Sequence, residues 1–396
     1  MAHDTSPSPG QSVALVLSGG VGLGAYQAGA YEALHEAGGL EPGWIASASI
    51  GTINAAIIAG NPPERRVERL RQFWASSADF FPPLPFWEAP FWETPFWGAP
   101  FWGALGHGAL REGYNAASVV QSLTLGRAGV FHPRLVPSAG GRPGLYDLAP
   151  LARRLEEIVD FGRLNGGDIR LGVGATDVVS GERVVFDTGR GARLGPEHLI
   201  ASCALMPVFA PVEAEGRLLG DGGLSANTPV DLVLDDPARG DLLCLVVDLF
   251  ARQGSRPRSL GAAANRAVDL IFGNQTWLLL EARRRERALL DAGRRVAALL
   301  PPELLPPGLR EGADAARFLE EAGAGAATVL YMAYRAAADD AGLLKMFDYS
   351  AATLAERWRA GGAHMEAALR TLAALPAGAG RPGFSIHEIQ AHGIQP

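Results

Sequence analysis

Lysine is nearly missing from this chain: Lys345 is the only one, and arginine supplies the rest of the positive charge. The formal net charge of −7 leaves no basic surplus for a polyanion, so a nucleic-acid partner is not expected. The arginine bias, with abundant alanine and glycine, reflects a GC-rich genome rather than a binding device. Cysteine is scarce as well. Cys203 and Cys244 sit in apolar contexts, which predicts buried thiols in a reducing compartment rather than a disulfide framework. No uninterrupted apolar run reaches the ~18 residues of a spanning helix. Residues 1–10 have neither a basic n-region nor an apolar h-region and read as a disordered tail. These absences predict a cytoplasmic protein whose membrane contact, where it has any, is peripheral and at the inner face.

What is present is globular. Charged residues make up 19% and hydrophobic residues 48% of 396, enough for a large core and for two domains. The first is expected over 11–254 and the second over 255–396. Residues 12–18 read as a buried strand, 19–24 as a glycine-rich turn and 25–37 as a helix; a strand at 44–47 and a helix at 52–59 repeat the order. Two successive β-turn-α units predict a parallel sheet covered by helices. Strands are further expected at 169–176, 183–187, 217–220 and 242–250, and helices at 65–75, 114–125, 148–159 and 194–204. From 260 to 375 the pattern reads as almost wholly helical.

One stretch breaks the pattern. Between 82 and 108, Pro85-Phe86-Trp87-Glu88-Ala89 recurs three more times at a period of five, placing Trp87, Trp92, Trp97 and Trp102 in one proline-broken segment. Proline at that spacing forbids a regular helix or a central strand, so a loop is expected. Tryptophan favours the membrane–water boundary, which suggests peripheral lipid contact; a tolerated low-complexity expansion is the other reading.

Three elements carry chemistry. Ser47-Ala48-Ser49-Ile50-Gly51 joins a strand to a helix, and a sharp strand-to-helix turn between small residues lifts a serine out of the sheet as a nucleophile. Ser47 competes for the role, but its position suits simple smallness. Gly19-Gly20-Val21-Gly22-Leu23-Gly24 presents backbone N–H groups at a helix start, where they can hold a phosphate or a developing oxyanion. The same run fits G-x-G-x-x-A, yet the acidic residue a dinucleotide site needs after the next strand is replaced by Ser47-Ala48-Ser49. A ligand-free structural turn is the third reading. Gly220-Asp221-Gly222-Gly223 places an aspartate between glycines, either as an ordinary turn or as a carboxylate able to reach a neighbouring hydroxyl.

As an ordered set these elements resemble the patatin-like phospholipase family. Leu17-Ser18-Gly19-Gly20, Gly24-Ala25-Tyr26-Gln27-Ala28-Gly29, the Ser49 elbow, Ala175-Thr176-Asp177, Ala201-Ser202-Cys203-Ala204-Leu205-Met206-Pro207 and Asp221-Gly222-Gly223 with Asn227-Thr228-Pro229 carry the likeness over about residues 11–250. The resemblance implies a three-layer α/β/α fold with a mainly parallel sheet, and a Ser-Asp dyad without histidine. It makes Ser49 the nucleophile, Asp221 the base, and the backbone of Gly19, Gly20, Val21 and Gly22 the oxyanion hole, with no cofactor and no metal. His107, His132 and His198 read as surface or loop residues, so a Ser-His-Asp triad is the weaker alternative. Two positions depart from the family. Val21 stands where a third glycine is usual, which is tolerable with a negative φ, and Leu23 stands where a basic residue is usual. Residues 255–396 resemble the helical C-terminal domain of a bacterial subset, through Phe347-Asp348-Tyr349-Ser350, Thr353 and Glu356-Arg357-Trp358. The implied activity is hydrolysis of lipid esters, phospholipids first; a carboxylesterase or polyester-cleaving enzyme with the same dyad and a weakly active membrane-binding scaffold are the alternatives.

Overall fold

A computed structural model of the chain describes residues 11–78, 109–137, 143–236, 240–299, 325–335, 342–375 and 383–390. The expected tail at 1–10 and the Phe-Trp repeat at 82–108, with Trp87, Trp92, Trp97 and Trp102, lie outside the described residues.

The elements in chain order are β1 (Ser12–Leu17), α1 (Ala25–Ala37), β2 (Trp44–Ala48), α2 (Ile50–Ala59), α3 (Pro63–Ser76), α4 (Ala109–Leu125), β3 (His132–Pro133), β4 (Tyr146–Asp147), α5 (Ala149–Ile158), α6 (Phe161–Leu164), β5 (Arg170–Asp177), β6 (Arg183–Asp187), α7 (Pro196–Ser202), β7 (Val212–Ala214), β8 (Arg217–Asp221), α8 (Gly223–Ala226), α9 (Val230–Leu234), β9 (Leu242–Asp248), α10 (Leu260–Leu299), β10 (Ala327–Ala333), α11 (Ala351–Ala374) and β11 (Phe384–Ile389). The uncharged run of β1 is what a strand covered on both faces requires. Its side chains alternate accordingly: Val13, Leu15 and Leu17 join the core under α1 and α2, while Ala14 and Val16 join a second core with Val230, Val233 and Leu280. Helices thus cover both faces of one sheet, ordered β11-β10-β9-β1-β2-β5-β8-β7, with β6 beside β5. The pairs from β11 to β5 are parallel; β6, β7 and β8 pair antiparallel.

The register around β5 brings two strand ends together. β2 pairs with β5 as far as Ala48 opposite Gly174, and β8 pairs with it from Asp221 opposite Ala175 onward. β6 occupies the other edge of β5 over Gly172 to Thr176, so β2 and β8 share one edge and meet end to end. The residue after β2 and the last residue of β8 are therefore forced into proximity.

The C-terminal region is helical in α10 and α11 but is not confined to helices. The expectation of an almost wholly helical 260–375 missed β10, which pairs with β9 through Val329 opposite Cys244 and extends the same sheet past position 254. α11 returns to pack on α1 with almost no separation. A side chain added at Gly29 would begin 1.9 Å from the Trp358 carbonyl oxygen, and one at Gly361 1.9 Å from that of Tyr26. Among the described residues no helix is long and apolar enough to cross a membrane.

Candidate active site

Ser49 caps α2 with φ 51° and ψ −127°, a backbone conformation that residues with side chains rarely adopt. Such strain persists only where the surroundings over-determine it. Here the Ser49 N–H donates to Ser202 Oγ at 3.0 Å, and Ser202 Oγ donates to the Gly174 carbonyl at 2.6 Å. Thr52 Oγ1 lies 3.0 Å from Ser202 Oγ and donates to Ser47 Oγ at 3.1 Å. Ser47 itself donates to the Gly172 carbonyl, so it ties the elbow to β5 rather than facing a substrate. Gly51 is obligatory, because a side chain there would begin 2.3 Å from the Leu17 carbonyl oxygen. The supporting role of Ser202 escaped sequence reasoning: its neighbours marked a family pattern, but nothing in them pointed to the Ser49 amide.

Asp221, the last residue of β8, meets this elbow. Ser49 Oγ donates to Asp221 Oδ2 at 2.7 Å across 172 positions of sequence. The other carboxylate oxygen accepts the Gly223 N–H at 2.7 Å, which fixes the rotamer. Gly222 must lack a side chain, since one would begin 2.2 Å from the Gly174 carbonyl oxygen. Asp221 is buried, and desolvation pushes its carboxyl up to about 6, against the opposing pull of the Ser49 hydroxyl and the Gly223 N–H. A carboxylate of that basicity, hydrogen-bonded to a hydroxyl, is equipped to accept its proton near neutral pH.

Among the described residues no imidazole bonds to either group. His132 is exposed, and His107 lies outside the described residues. His198 corrects the expectation of a surface residue: it is buried in α7, its ring centroid 4.6 Å from that of Phe186, and Nδ1 accepts the Gly195 N–H. It staples the start of a helix.

The glycine turn follows β1 and lies against Ser49. A side chain at Gly19 would begin 3.0 Å from Ser49 Cβ and 2.5 Å from Asn227 Oδ1. Of the four expected oxyanion-hole residues, Gly19 directs its N–H to the Asn227 carbonyl at 3.0 Å, because the turn after α8 holds the end of β1. Among the described residues nothing accepts from the N–H groups of Gly20, Val21 or Gly22. Val21 has φ 52°, contrary to the negative value expected of a valine. Leu23 is fully buried in the main core, where a basic residue could not replace it without a partner.

A family model described as patatin-like phospholipase matches residues 15–234. No curated protein matches the chain. Among solved structures the chain is similar to VipD from Legionella pneumophila, at 14% identity and a TM-score of 0.33, with 63% of this chain and 52% of that chain covered. The chain therefore spans about half the length of that protein.

Proposed function

The chain belongs to the patatin-like phospholipase family, and from that premise we propose that it is a lipid acyl hydrolase working through a Ser49-Asp221 dyad. Ser49 Oγ attacks the ester carbonyl carbon while Asp221 Oδ2 takes the hydroxyl proton. The negative oxygen of the tetrahedral adduct is held by backbone N–H groups of the Gly20, Val21 and Gly22 turn. Collapse breaks the ester C–O bond, and the departing alcohol recovers the proton from Asp221. Water then attacks the acyl-serine and gives a proton to the same carboxylate, which returns it to Ser49 Oγ as the acyl C–Oγ bond breaks and the fatty acid leaves. One carboxylate thus serves both half-reactions.

The observation that carries this reading is the 2.7 Å hydrogen bond between Ser49 and Asp221, made from a serine held in strained backbone. The test is labelling by a fluorophosphonate probe together with hydrolysis of a short chromogenic ester. The wild type should react in both assays and Ser49→Ala in neither; a wild type silent in both overturns the proposal. Profiling of released fatty acids from phospholipid, neutral lipid and polyester then separates the lipid hydrolase from a carboxylesterase built on the same dyad.

A further inference from the structure

The glycine turn has no charged side chain of its own, and a cation reaches it from the far end of the chain. Arg357 in α11 is 2% exposed. Its Nη1 donates to the carbonyls of Gly22 at 2.9 Å and Asp348 at 2.8 Å, and its Nη2 to that of Lys345 at 2.7 Å. Among the described residues no carboxylate forms an ion pair with it. A buried guanidinium met only by neutral groups, these carbonyls and the Tyr334 hydroxyl, is costly, and an apolar side chain of similar volume would fill the space at lower cost. What the charge acts on therefore matters.

It acts on a series of peptides. The Gly22 carbonyl that accepts from Arg357 belongs to the Gly22–Leu23 peptide, whose N–H donates to the Gly20 carbonyl at 3.1 Å. That carbonyl belongs to the Gly20–Val21 peptide, whose N–H has no acceptor among the described residues. Hydrogen bonds in series polarise one another, so a cation at one end strengthens the donor at the other. The direction of that last N–H depends on the positive φ of Val21. The turn is clamped by the segment before α11: a side chain at Gly22 would begin 2.7 Å from the Met346 carbonyl oxygen and 3.2 Å from the Tyr349 ring.

We propose that Arg357 is a positioning residue for the ester hydrolysis, anchoring the glycine turn through the Gly22 carbonyl and polarising the Val21 N–H that stabilises the oxyanion. The inference rests on the dyad reading above. Its consequence is that the site is not complete within residues 15–234: residues 342–375, docked on α1 through Gly29 and Gly361, finish it.

The test compares full-length wild type, Arg357→Gln and Arg357→Lys on a short p-nitrophenyl ester, with thermal melting as the fold control. Glutamine keeps hydrogen-bond donors and loses the charge; lysine keeps the charge. Arg357→Gln should lower kcat by about 10²-fold with KM within about twofold, the signature of a lost transition-state interaction. Arg357→Lys should recover at least about tenfold of that loss. Unchanged kcat in Arg357→Gln, or equal losses in the two variants, overturns the proposal. Should Arg357→Gln fail to fold, wild type carrying carbonyl-labelled glycine and nitrogen-labelled valine decides: the Gly20–Val21 amide should move strongly downfield when Ser49 is phosphonylated, and an unmoved amide overturns the relay. Wild type that neither hydrolyses the ester nor takes the probe overturns the dyad reading and this one with it, whereas active wild type with an indifferent Arg357→Gln overturns this one alone.

Discussion

Two aspartates end strands of the same sheet in nearly the same state. Asp221 closes β8 and Asp248 closes β9; both are buried, and desolvation pushes both carboxyls up to about 6. Their partners separate them. Asp221 faces the Ser49 hydroxyl at 2.7 Å, on an elbow that presents the oxygen at the end of the sheet. Asp248 accepts the Phe250 N–H at 3.0 Å and the Tyr331 hydroxyl at 3.1 Å, which ties β9 to β10 inside the sheet. Burial and raised basicity are thus shared by a candidate base and a structural cross-link. A perturbed carboxyl marks a site only through the hydroxyl it faces and the strain behind that hydroxyl.

The largest break in this comparison should come from Ser49. Ser49→Ala is expected to reduce ester hydrolysis by about 10⁴-fold or more, with probe labelling abolished and the melting temperature nearly unchanged. Asp221→Asn should follow, with a loss of about 10²- to 10⁴-fold in kcat, since asparagine cannot take the proton. Asp248→Asn should cost less than about tenfold, because its carboxylate contacts no reacting atom. Equal losses at the two aspartates, measured on the same soluble ester, would dissolve the distinction drawn here.

Acidity sharpens it further. Below a pH of about 6 Asp221 holds its own proton and cannot accept that of Ser49, so kcat/KM should show an acid limb near that value, retained in Asp248→Asn. Stability should treat the two aspartates alike. Each has a folded-state value raised above the ordinary carboxyl, so the native state binds the proton more tightly than the unfolded chain does. The contribution is present in full below the unfolded value and lost as pH rises through about 6. Relative to either Asn variant, wild type should therefore lose on the order of 2–3 kcal/mol between pH 4 and pH 7. Chemical denaturation across that range checks it, and a wild type that gains stability over the window contradicts the burial argument.

The sequence was legible where structure is local. The β1-turn-α1 and β2-elbow-α2 units announce themselves, because buried strand, tight turn and helix follow one another directly along the chain. The turn at Ser49 was legible as a strand-to-helix elbow, whereas the turn at Asp221 read equally as an ordinary one and was singled out only through the family resemblance; their 2.7 Å contact is visible only in the fold. β10 was not: its run Ala-Thr-Val-Leu-Tyr-Met-Ala is almost wholly apolar, lies in an alanine-rich stretch of the sequence, and becomes a strand only by pairing with β9 more than eighty positions earlier. The positive φ of Val21 was hidden for the same reason, since Met346 and Tyr349 clamp the turn from the far end of the chain. Arg357 sits 335 positions from the Gly22 carbonyl it holds, and no local pattern could join them.

The smallest expected effect concerns strain, which also distinguishes the two aspartates. Among the described residues the non-glycine positions with positive φ are Val21, Ser49 and Glu215; two belong to the site around Asp221 and none to the surroundings of Asp248. Removing a buried valine normally costs dearly: Val16→Gly, at a fully buried position of β1, should lose about 3–5 kcal/mol through lost burial, a cavity and the added freedom of glycine. Val21→Gly loses the packing of a half-buried side chain and the same chain entropy, roughly 2 kcal/mol together. Against this it releases about 1–3 kcal/mol of backbone strain, because glycine adopts φ 52° freely. The two contributions nearly cancel, so Val21→Gly should leave unfolding free energy within about 1 kcal/mol of wild type, as read from denaturant midpoints at constant slope. A loss as large as that of Val16→Gly would mean that the turn carries no strain, and the backbone conformation assigned to Val21 would have to be given up.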